Sequence, residues 1–271
     1  MPVKMQPTFL SSSRNPLLQR FRRALRRGEL TPDGCCAVEG AHLVEEALRS
    51  NLEIVAVLAA RSAQTKLKEL VPERNGRPPC YLTSDRLFRA LAQTETPQGI
   101  AALVRLPPAQ LDQCLAAEAS LTVVLVGLQD PGNLGTILRS LEAFGGAACV
   151  LAPTSVSPYN PKAVRASAGS LFRVPVFRNT TVESVVRLCT EKNVRRVALV
   201  PRAGTPLGKL DLRGRVAFFV GGEAHGLDAA TLAQMDDAAQ IPLAAPVESL
   251  NAAVAASLAL YEAARQRNPG N

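Results

Sequence analysis

Several residue types are scarce in this chain of 271 residues, and each scarcity excludes a class of protein. Trp is absent and aromatics make up 4% of the sequence, so an aromatic platform for stacking single-stranded nucleic acid is not expected. The two His and six Cys form no C-x-x-C pair, which argues against a structural zinc site or other metal centre. No apolar run reaches the roughly 18 residues of a membrane span, and residues 1–13 lack the apolar core of a secretory signal.

The cysteines indicate the compartment. Several lie inside apolar stretches, as buried reduced thiols do, and such thiols are typical of a cytoplasmic protein. The six are Cys35, Cys36, Cys80, Cys114, Cys149 and Cys189.

The net charge of +8 is concentrated near the N-terminus. Residues 1–107 carry 16 Lys and Arg against 10 Asp and Glu, whereas residues 108–271 carry 15 against 13. Leu17, Phe21 and Leu25 recur at i, i+4 and i+8, which predicts an amphipathic helix. Its other face would carry an acid-free basic run, Arg14, Arg20, Arg22, Arg23, Arg26 and Arg27. This run suits a solvated surface, but a polyanionic partner also explains the uneven charge.

Composition divides the chain into two domains. Pro107-Pro108 and the polar, Ala-rich stretch after it predict a linker over residues 108–120. Residues 1–107 alternate short strands with helices, which predicts a small α/β sandwich. Residues 121–271 contain six apolar runs separated by helices, which predicts a parallel sheet covered on both faces. These runs are residues 121–128, 147–151, 174–177, 196–200, 216–220 and 240–243.

A first polar motif, residues 130–140, follows the strand at 121–128. Asn133 is the predicted N-cap of a helix over 134–144, and Arg139 lies about 140° around that helix from Leu134, off its apolar stripe. A Gly-rich helix start also suits phosphate, but Gly132-x-x-Gly135 matches neither a dinucleotide fingerprint nor a phosphate-binding loop. A dinucleotide enzyme is therefore disfavoured.

Two more motifs follow strands. Gly221-Gly222-Glu223 ends the strand at 216–220, and the paired glycines would let a ligand approach the backbone closely. Ile241-Pro242-Leu243 is predicted to end the last strand, and Ser249-Leu250-Asn251 to begin the final helix with Ser249 as its N-cap. His225 has no partners for a Ser-His-Asp or Cys-His arrangement.

In this order the three motifs resemble those of the SpoU branch of the SPOUT RNA methyltransferases, also called the TrmH family. The first domain resembles the L30e-like substrate-binding domain of many members, through Val38-Glu39-Gly40 and Thr96-Pro97-Gln98-Gly99-Ile100. The resemblance implies a deep trefoil knot in the second domain, a homodimer with active sites at the subunit interface, and S-adenosylmethionine as cofactor.

The resemblance also implies roles for particular residues. The catalytic positions would be Asn133, Arg139, Glu223, Ser249 and Asn251. The cofactor would lie against Val200, Gly221, Gly222, Ile241, Leu243 and Leu250. RNA contacts would come from Arg20, Arg22, Arg23, Arg26, Arg27, Lys162 and Arg165.

The implied reaction is methyl transfer to a ribose 2′-OH. A guanidinium is a poor base at a pKa above about 12, so we expect Arg139 to hold the substrate phosphate and stabilise the developing alkoxide. Ribosomal RNA is favoured over tRNA by the extra N-terminal domain. The alternatives are a tRNA 2′-O-methyltransferase and a non-catalytic RNA-binding protein of the same fold.

Overall fold

The computed structural model describes residues 7–72 and 77–268. The first six residues of the predicted first domain and the last three of the predicted second domain lie outside this range. The chain divides into two compact units. The first unit comprises Met1–Pro108 and Tyr159–Phe172, and the second comprises Ala109–Pro158 and Arg173–Asn271.

The elements alternate along the chain as the apolar pattern predicts. Up to residue 108 they are β1 (Thr8–Leu10), α1 (Pro16–Arg27), β2 (Cys35–Glu39), α2 (Ala41–Arg49), β3 (Glu53–Ala60), α3 (Gln64–Leu70), β4 (Cys80–Thr83), α4 (Asp85–Leu91) and β5 (Ile100–Arg105). Beyond it they are α5 (Leu111–Ala116), β6 (Leu121–Val126), α6 (Pro131–Ala143), β7 (Ala148–Leu151), α7 (Pro161–Ala166), β8 (Val176–Arg178), α8 (Val182–Glu191), β9 (Arg195–Val200), β10 (Thr205–Pro206), β11 (Val216–Gly221), α9 (Ala229–Leu232), β12 (Asp237–Gln240) and α10 (Ala252–Arg267). No helix within these described ranges is long and apolar enough to cross a membrane.

The second unit is built on a seven-stranded sheet in the order β10-β12-β9-β11-β6-β7-β8. All of its pairings are parallel, as predicted. The last apolar strand ends at Gln240, however, and Ile241-Pro242-Leu243 lies beyond it. The prediction of a strand over 240–243 is therefore wrong, and a physical reason is that Pro242 has no N–H to donate to a ladder.

The first unit has a mixed five-stranded sheet in the order β1-β4-β3-β5-β2. Helix α1 buries Leu18, Phe21 and Leu25, whereas Leu17 is only partly buried. The predicted apolar stripe is therefore shifted by one residue at its start. The short edge strand β1 was not predicted, because three residues carry no readable period.

The structure assigns two segments to units that the sequence did not indicate. Residues 111–116, within the predicted linker, form α5, and its Leu111 and Leu115 are buried in the core of the second unit with Val124 and Phe219. The segment Tyr159–Phe172, which contains α7, belongs to the first unit although it lies between β7 and β8 in sequence. Helix α7 packs on β2 there.

Candidate active site

The three polar motifs follow the carboxyl ends of central strands in the second unit. Because β6, β9, β11 and β12 are parallel, the segments that leave them emerge at the same edge of the sheet. The backbone of Gly222 continues this pairing past β11, since its N–H donates to the carbonyl of Val126 at 2.8 Å. This edge is where open parallel sheets bind ligands.

A chain of hydrogen bonds joins one residue from each motif. Asn251 Nδ2 donates to Asn133 Oδ1 at 3.0 Å, and Asn133 Nδ2 donates to Glu223 Oε1 at 2.6 Å. These residues are separated by 118 and 90 positions in sequence, so only the fold brings them together. The remaining N–H groups and carboxylate lone pairs of the trio are left for a ligand.

The helix caps at this edge differ from the prediction. Helix α6 begins at Pro131, and its N-cap is Asp130, whose side chain accepts from the Asn133 N–H at 2.8 Å. The assignment of Asn133 as N-cap was therefore wrong. Pro131 suits the first helical position, because its fixed φ is helical and its missing N–H needs no partner there. The Asn133 side chain is thus free of capping and can reach Glu223.

Asn251 caps α10 in place of Ser249. Its Oδ1 accepts from the N–H groups of Ala253 and Val254 at 2.9 and 3.3 Å. The prediction that Ser249 begins this helix was wrong, since Ser249 lies two residues before the cap and is exposed. Capping occupies Oδ1 of Asn251, and this orients its amide nitrogen toward Asn133.

A cavity of ≈ 750 Å³ opens beside the trio. Its volume lies within the range of small-molecule and cofactor sites, about 300–1,000 Å³. All six predicted cofactor-binding residues line it, namely Val200, Gly221, Gly222, Ile241, Leu243 and Leu250. Three of the predicted catalytic residues, Glu223, Ser249 and Asn251, line it as well.

Packing of the chain's own backbone gives a second reason for the two glycines, beside the predicted close approach of a ligand. A Cβ on Gly221 would lie 2.2 Å from the carbonyl carbon of Gly226, and a Cβ on Gly222 would lie 2.2 Å from the carbonyl oxygen of Gly127. At Gly221 the neighbouring backbone is the turn at 222–226, which folds back on β11, and at Gly222 it is the segment that follows β6. This packing forms the wall of the cavity.

Some lining residues were missed from the sequence. Arg202, His225 and Leu227 line the cavity, and each follows the end of a parallel strand, a position that could have singled them out. Arg202 forms an ion pair with Glu248 at 2.8 Å, but both side chains are largely exposed, so the pair adds little stability.

Arg139 stands apart from the cavity. It is exposed on α6, is not among the lining residues, and has no ion-pair or hydrogen-bond partner within the described part of the chain. Its neighbour Ser140 contacts Ser257 of α10 through their Oγ atoms, 2.6 Å apart. Several other arginines of this unit are held by partners, as Arg195 is by Asp237 at 2.5 Å.

The seven predicted RNA-contact residues all lie in the first unit. Five are on α1 and two, Lys162 and Arg165, are on α7. Arg20 donates to Asp33 at 2.7 Å, and Arg26 donates to the carbonyl of Ala90 at 2.9 Å.

Comparison with known proteins gives two family matches. Residues 120–261 match the SpoU rRNA Methylase family, and residues 15–102 match an MRM3-like substrate binding domain. Among curated proteins, the 23S rRNA (guanosine(2553)-2′-O)-methyltransferase RlmP of Bacillus subtilis is 33% identical over 93% of this chain and 97% of its own length.

Solved structures give the same result. The SpoU methyltransferase AviRb from Streptomyces viridochromogenes, in complex with the cofactor AdoMet, superposes with a TM-score of 0.82 at 28% identity, covering 95% of this chain and all of its own (100%). A structure described as giving insights into 2-OH methylation of C/U34 on tRNA reaches a TM-score of 0.52 at 28% identity. It covers 55% of this chain and 97% of its own.

Proposed function

Because the chain belongs to the SpoU rRNA methylase family, we propose that it is an enzyme that methylates a ribose 2′-OH of ribosomal RNA with S-adenosylmethionine. The observation that carries the proposal is the hydrogen-bonded trio of Asn133, Glu223 and Asn251 at the mouth of the cavity. A protein that kept the fold for RNA binding alone would have no use for this arrangement.

The lining of the cavity suits S-adenosylmethionine. Apolar side chains such as Ile241 and Leu250 can contact an adenine ring, and the backbone at 241–243, which lies beyond β12, offers N–H and C=O groups to its polar edges. When bound, this cofactor supplies an electrophilic methyl group on a sulfonium. AviRb, which shares the fold, is described in complex with it.

The trio and Ser249 would orient the ribose. The free N–H of Asn251 and the hydroxyl of Ser249 face the same cavity, and Glu223 is fixed in place through Asn133. In the reaction the 2′-oxygen bonds to the methyl carbon while the carbon–sulfur bond breaks, and the hydroxyl proton leaves to solvent. Orientation of the reacting oxygen is what the protein contributes to such a transfer.

Arg139 would stabilise the charge that develops on that oxygen and hold an adjacent phosphate. Its guanidinium has no partner among the residues that the structure describes, so it is available to substrate. Removal of one group that stabilises a developing oxyanion lowers the rate by about 10²–10³ in comparable sites.

We propose that the protein is a homodimer and that Arg139 completes the cavity of a second copy. Val254, Leu258 and Tyr261 form an exposed apolar face on α10, at spacings of four and three residues. Arg139 lies beside this helix, next to the Ser140–Ser257 contact. Pairing through the apolar face would therefore bring Arg139 to the boundary between subunits, which accounts for its absence from the cavity of its own chain.

Two further parts of the proposal rest on the family resemblance. The C-terminal segment of the second unit would form the trefoil knot. The reaction would take place in the cytoplasm, in keeping with the six cysteines, all of which are free thiols.

Ribosomal RNA is proposed over tRNA because of the extent of the matches. RlmP aligns with 93% of this chain, including its first unit, whereas the protein described with tRNA aligns with 55%. The first unit also matches a substrate-binding domain.

Methyl transfer from labelled S-adenosylmethionine to separated ribosomal RNA and tRNA, with Arg139→Ala beside the wild type, tests the proposal. We expect label in ribosomal RNA, none with the variant, and nearly unchanged cofactor binding by both. Label in tRNA alone would show that the substrate is tRNA and not ribosomal RNA. Bound cofactor without label in either RNA, free or in ribosomal subunits, would contradict it.

A further inference from the structure

The wall of the cavity in the second unit carries a permanent cation. Arg202 follows β9 and lines the cavity, and guanidinium groups do not deprotonate in proteins. Of the other lining residues that the structure describes, Glu223 is acidic and the rest, apart from His225, are uncharged. The cavity therefore offers a ligand a fixed positive charge at Arg202 and a carboxyl group at Glu223.

The turn after β9 holds Arg202 at the cavity. Ala203, the next residue, has a positive φ of 60°, and the N–H of Gly204 donates to Gln240 Oε1 at 3.2 Å. A Cβ on Gly204 would lie 2.9 Å from the carbonyl oxygen of Ala238, so glycine lets the turn lie against β12. The backbone is thus anchored to the neighbouring strand directly after Arg202.

Folding does not account for the cation at this position. Arg202 Nη2 donates to Glu248 Oε1 at 2.8 Å, and the two side chains are 69% and 79% exposed. An ion pair as exposed as this one contributes little to stability. It uses one of the five N–H groups of the guanidinium, and the others have no partner among the residues that the structure describes.

The two charged groups of the wall lie at neighbouring strand ends. Arg202 follows β9 and Glu223 follows β11, and these strands pair side by side, about 4.8 Å apart. This placement suits a ligand that has a cationic centre and a carboxylate a few bonds apart. S-adenosylmethionine is such a ligand, because its sulfonium and the carboxylate of its amino-acid chain are joined by a short flexible chain.

We infer that Arg202 binds the carboxylate of the cofactor's amino-acid chain through two parallel N–H bonds, and this inference rests on the proposed function. A guanidinium and a carboxylate match in this bidentate geometry, which a lysine ammonium cannot reproduce. The unused N–H groups of Arg202 can form the pair while Glu248 keeps its single bond. Arg202 thereby joins the six predicted cofactor residues and selects for the charged end of the cofactor.

The test compares two ligands, in the absence of RNA, that differ in the amino-acid chain. S-adenosylhomocysteine contains this chain, whereas 5′-methylthioadenosine keeps the adenosine and the sulfur and lacks it. Isothermal titration calorimetry measures both dissociation constants at several salt concentrations, and thermal unfolding without ligand checks that each protein is folded.

Three variants accompany the wild type. R202Q removes the charge, and R202K keeps the charge without the planar guanidinium. R213Q is the matched control, because Arg213 lies in the same unit and pairs with Asp211 at 2.8 Å. Its side chain is 70% exposed, close to the value for Arg202, but it does not line the cavity.

We expect R202Q to bind S-adenosylhomocysteine about tenfold more weakly than the wild type does, and methylthioadenosine equally well. R202K should recover part of the lost affinity, and R213Q should match the wild type with both ligands. Salt screens exposed charges, so the preference of the wild type for S-adenosylhomocysteine should fall as salt rises. Thermal unfolding of R202Q should be nearly unchanged, because its ion pair is exposed.

Three results would overturn the inference. The first is equal weakening of both ligands by R202Q, which would mean a damaged cavity and not a lost contact to the carboxylate. The second is wild-type affinity of R202Q for S-adenosylhomocysteine, and the third is equal weakening by R213Q. A wild type that binds both ligands while R202Q matches it would reject the role of Arg202 and keep the proposed function. A wild type that binds neither ligand would reject both.

Discussion

The polar side chains of the second unit are bonded to one another, whereas the key basic side chains of the first unit are left open. Asn133, Glu223 and Asn251 form one directed chain of hydrogen bonds. Arg22, Arg23 and Arg27 are exposed and have no hydrogen-bond or ion-pair partner among the residues that the structure describes. Substitutions in the trio are therefore expected to disturb the positions of its side chains. Substitutions of the exposed arginines are expected to change only the charge of the first unit.

The largest effect is expected from substitution of the proposed catalytic residues Arg139 and Glu223. Arg139→Ala and Glu223→Ala should each lower the rate of methyl transfer by about 10²–10³. If Arg139 acts across a dimer, an equimolar mixture of refolded variants should recover about a quarter of the wild-type rate, because half of the random dimers hold one complete site.

This mixing experiment needs a control for loss of activity during refolding. Mixing Arg139→Ala with wild type should give about 50% of the wild-type rate whether or not the subunits exchange. Sedimentation equilibrium of each sample measures the fraction of the protein that is dimeric. No recovery from the mixed variants, with dimers present, would place Arg139 in its own subunit's reaction.

The second prediction concerns the last helix turn, which fixes the position of α10. The guanidinium of Arg267 donates to the carbonyls of Ala119, Leu212 and Gly214, at 2.7, 3.1 and 2.6 Å. Burial lowers the pKa of this guanidinium from its usual value, although it stays charged. Arg267→Ala should destabilise the protein by about 2 kcal/mol, because it removes charge-assisted hydrogen bonds to three carbonyls, one of which belongs to the buried Leu212.

Arg265 is the matched control on the same helix. It pairs with Glu262 at the surface, and Arg265→Ala should cost about 0–1 kcal/mol. Denaturant unfolding of the two variants measures the difference. Equal losses would show that the carbonyl contacts of Arg267 contribute no more than an exposed ion pair.

The third prediction compares two asparagine caps, one in each unit. Asn15 caps α1 by accepting from the Leu17 N–H at 2.9 Å, and Asn251 caps α10. Replacement of either by Ala should cost about 0.5–2 kcal/mol. Asn251→Ala should also lower methyl transfer, because it removes the amide that binds Asn133, whereas Asn15→Ala should not.

Asn251→Ser separates the two functions of this cap. Serine can still accept the helix N–H bonds, so the melting temperature should return toward the wild-type value while the rate of methyl transfer stays low. Full recovery of the rate would mean that capping alone explains the role of Asn251.

The smallest effects are expected from buried thiols. Burial raises the pKa of Cys36 in β2 and of Cys149 in β7 to about 12. Since these pKa values lie above the ordinary thiol value of 9.0, the thiols contribute stability below about pH 9 that is lost as pH rises toward 12. Alkylation of each thiol should therefore require opening of its own unit.

Mass spectrometry after timed alkylation measures the two rates in one sample. Added cofactor should slow alkylation of Cys149, in the unit that holds the cavity, more than that of Cys36. Equal protection of both thiols would show that the two units open together and would weaken the distinction drawn between them.

The strands β6, β7, β9 and β11 of the parallel sheet could be predicted because each lies in an apolar run, whereas the two-residue β10 and the largely polar ends of β12 carry no such signal. The caps could not be predicted so well. Asp130 and Asn133 are both good caps by residue type, and Pro131 decides between them by fitting the first helical position. The convergence of Asn133 with Glu223 and Asn251 depends on pairings far apart in sequence, so it came from the family resemblance and not from the local pattern.

The assignment of Tyr159–Phe172 to the first unit also escaped prediction, because it depends on packing on β2 and not on the segment's own sequence. This segment has a consequence for folding during synthesis. Once residue 108 has been synthesised, the ribosome must add 64 more residues before the first unit is complete. At about 5–20 residues per second, that delay is roughly 3–13 s. During this time α7 does not cover β2, and that face of β2 is accessible to chaperones.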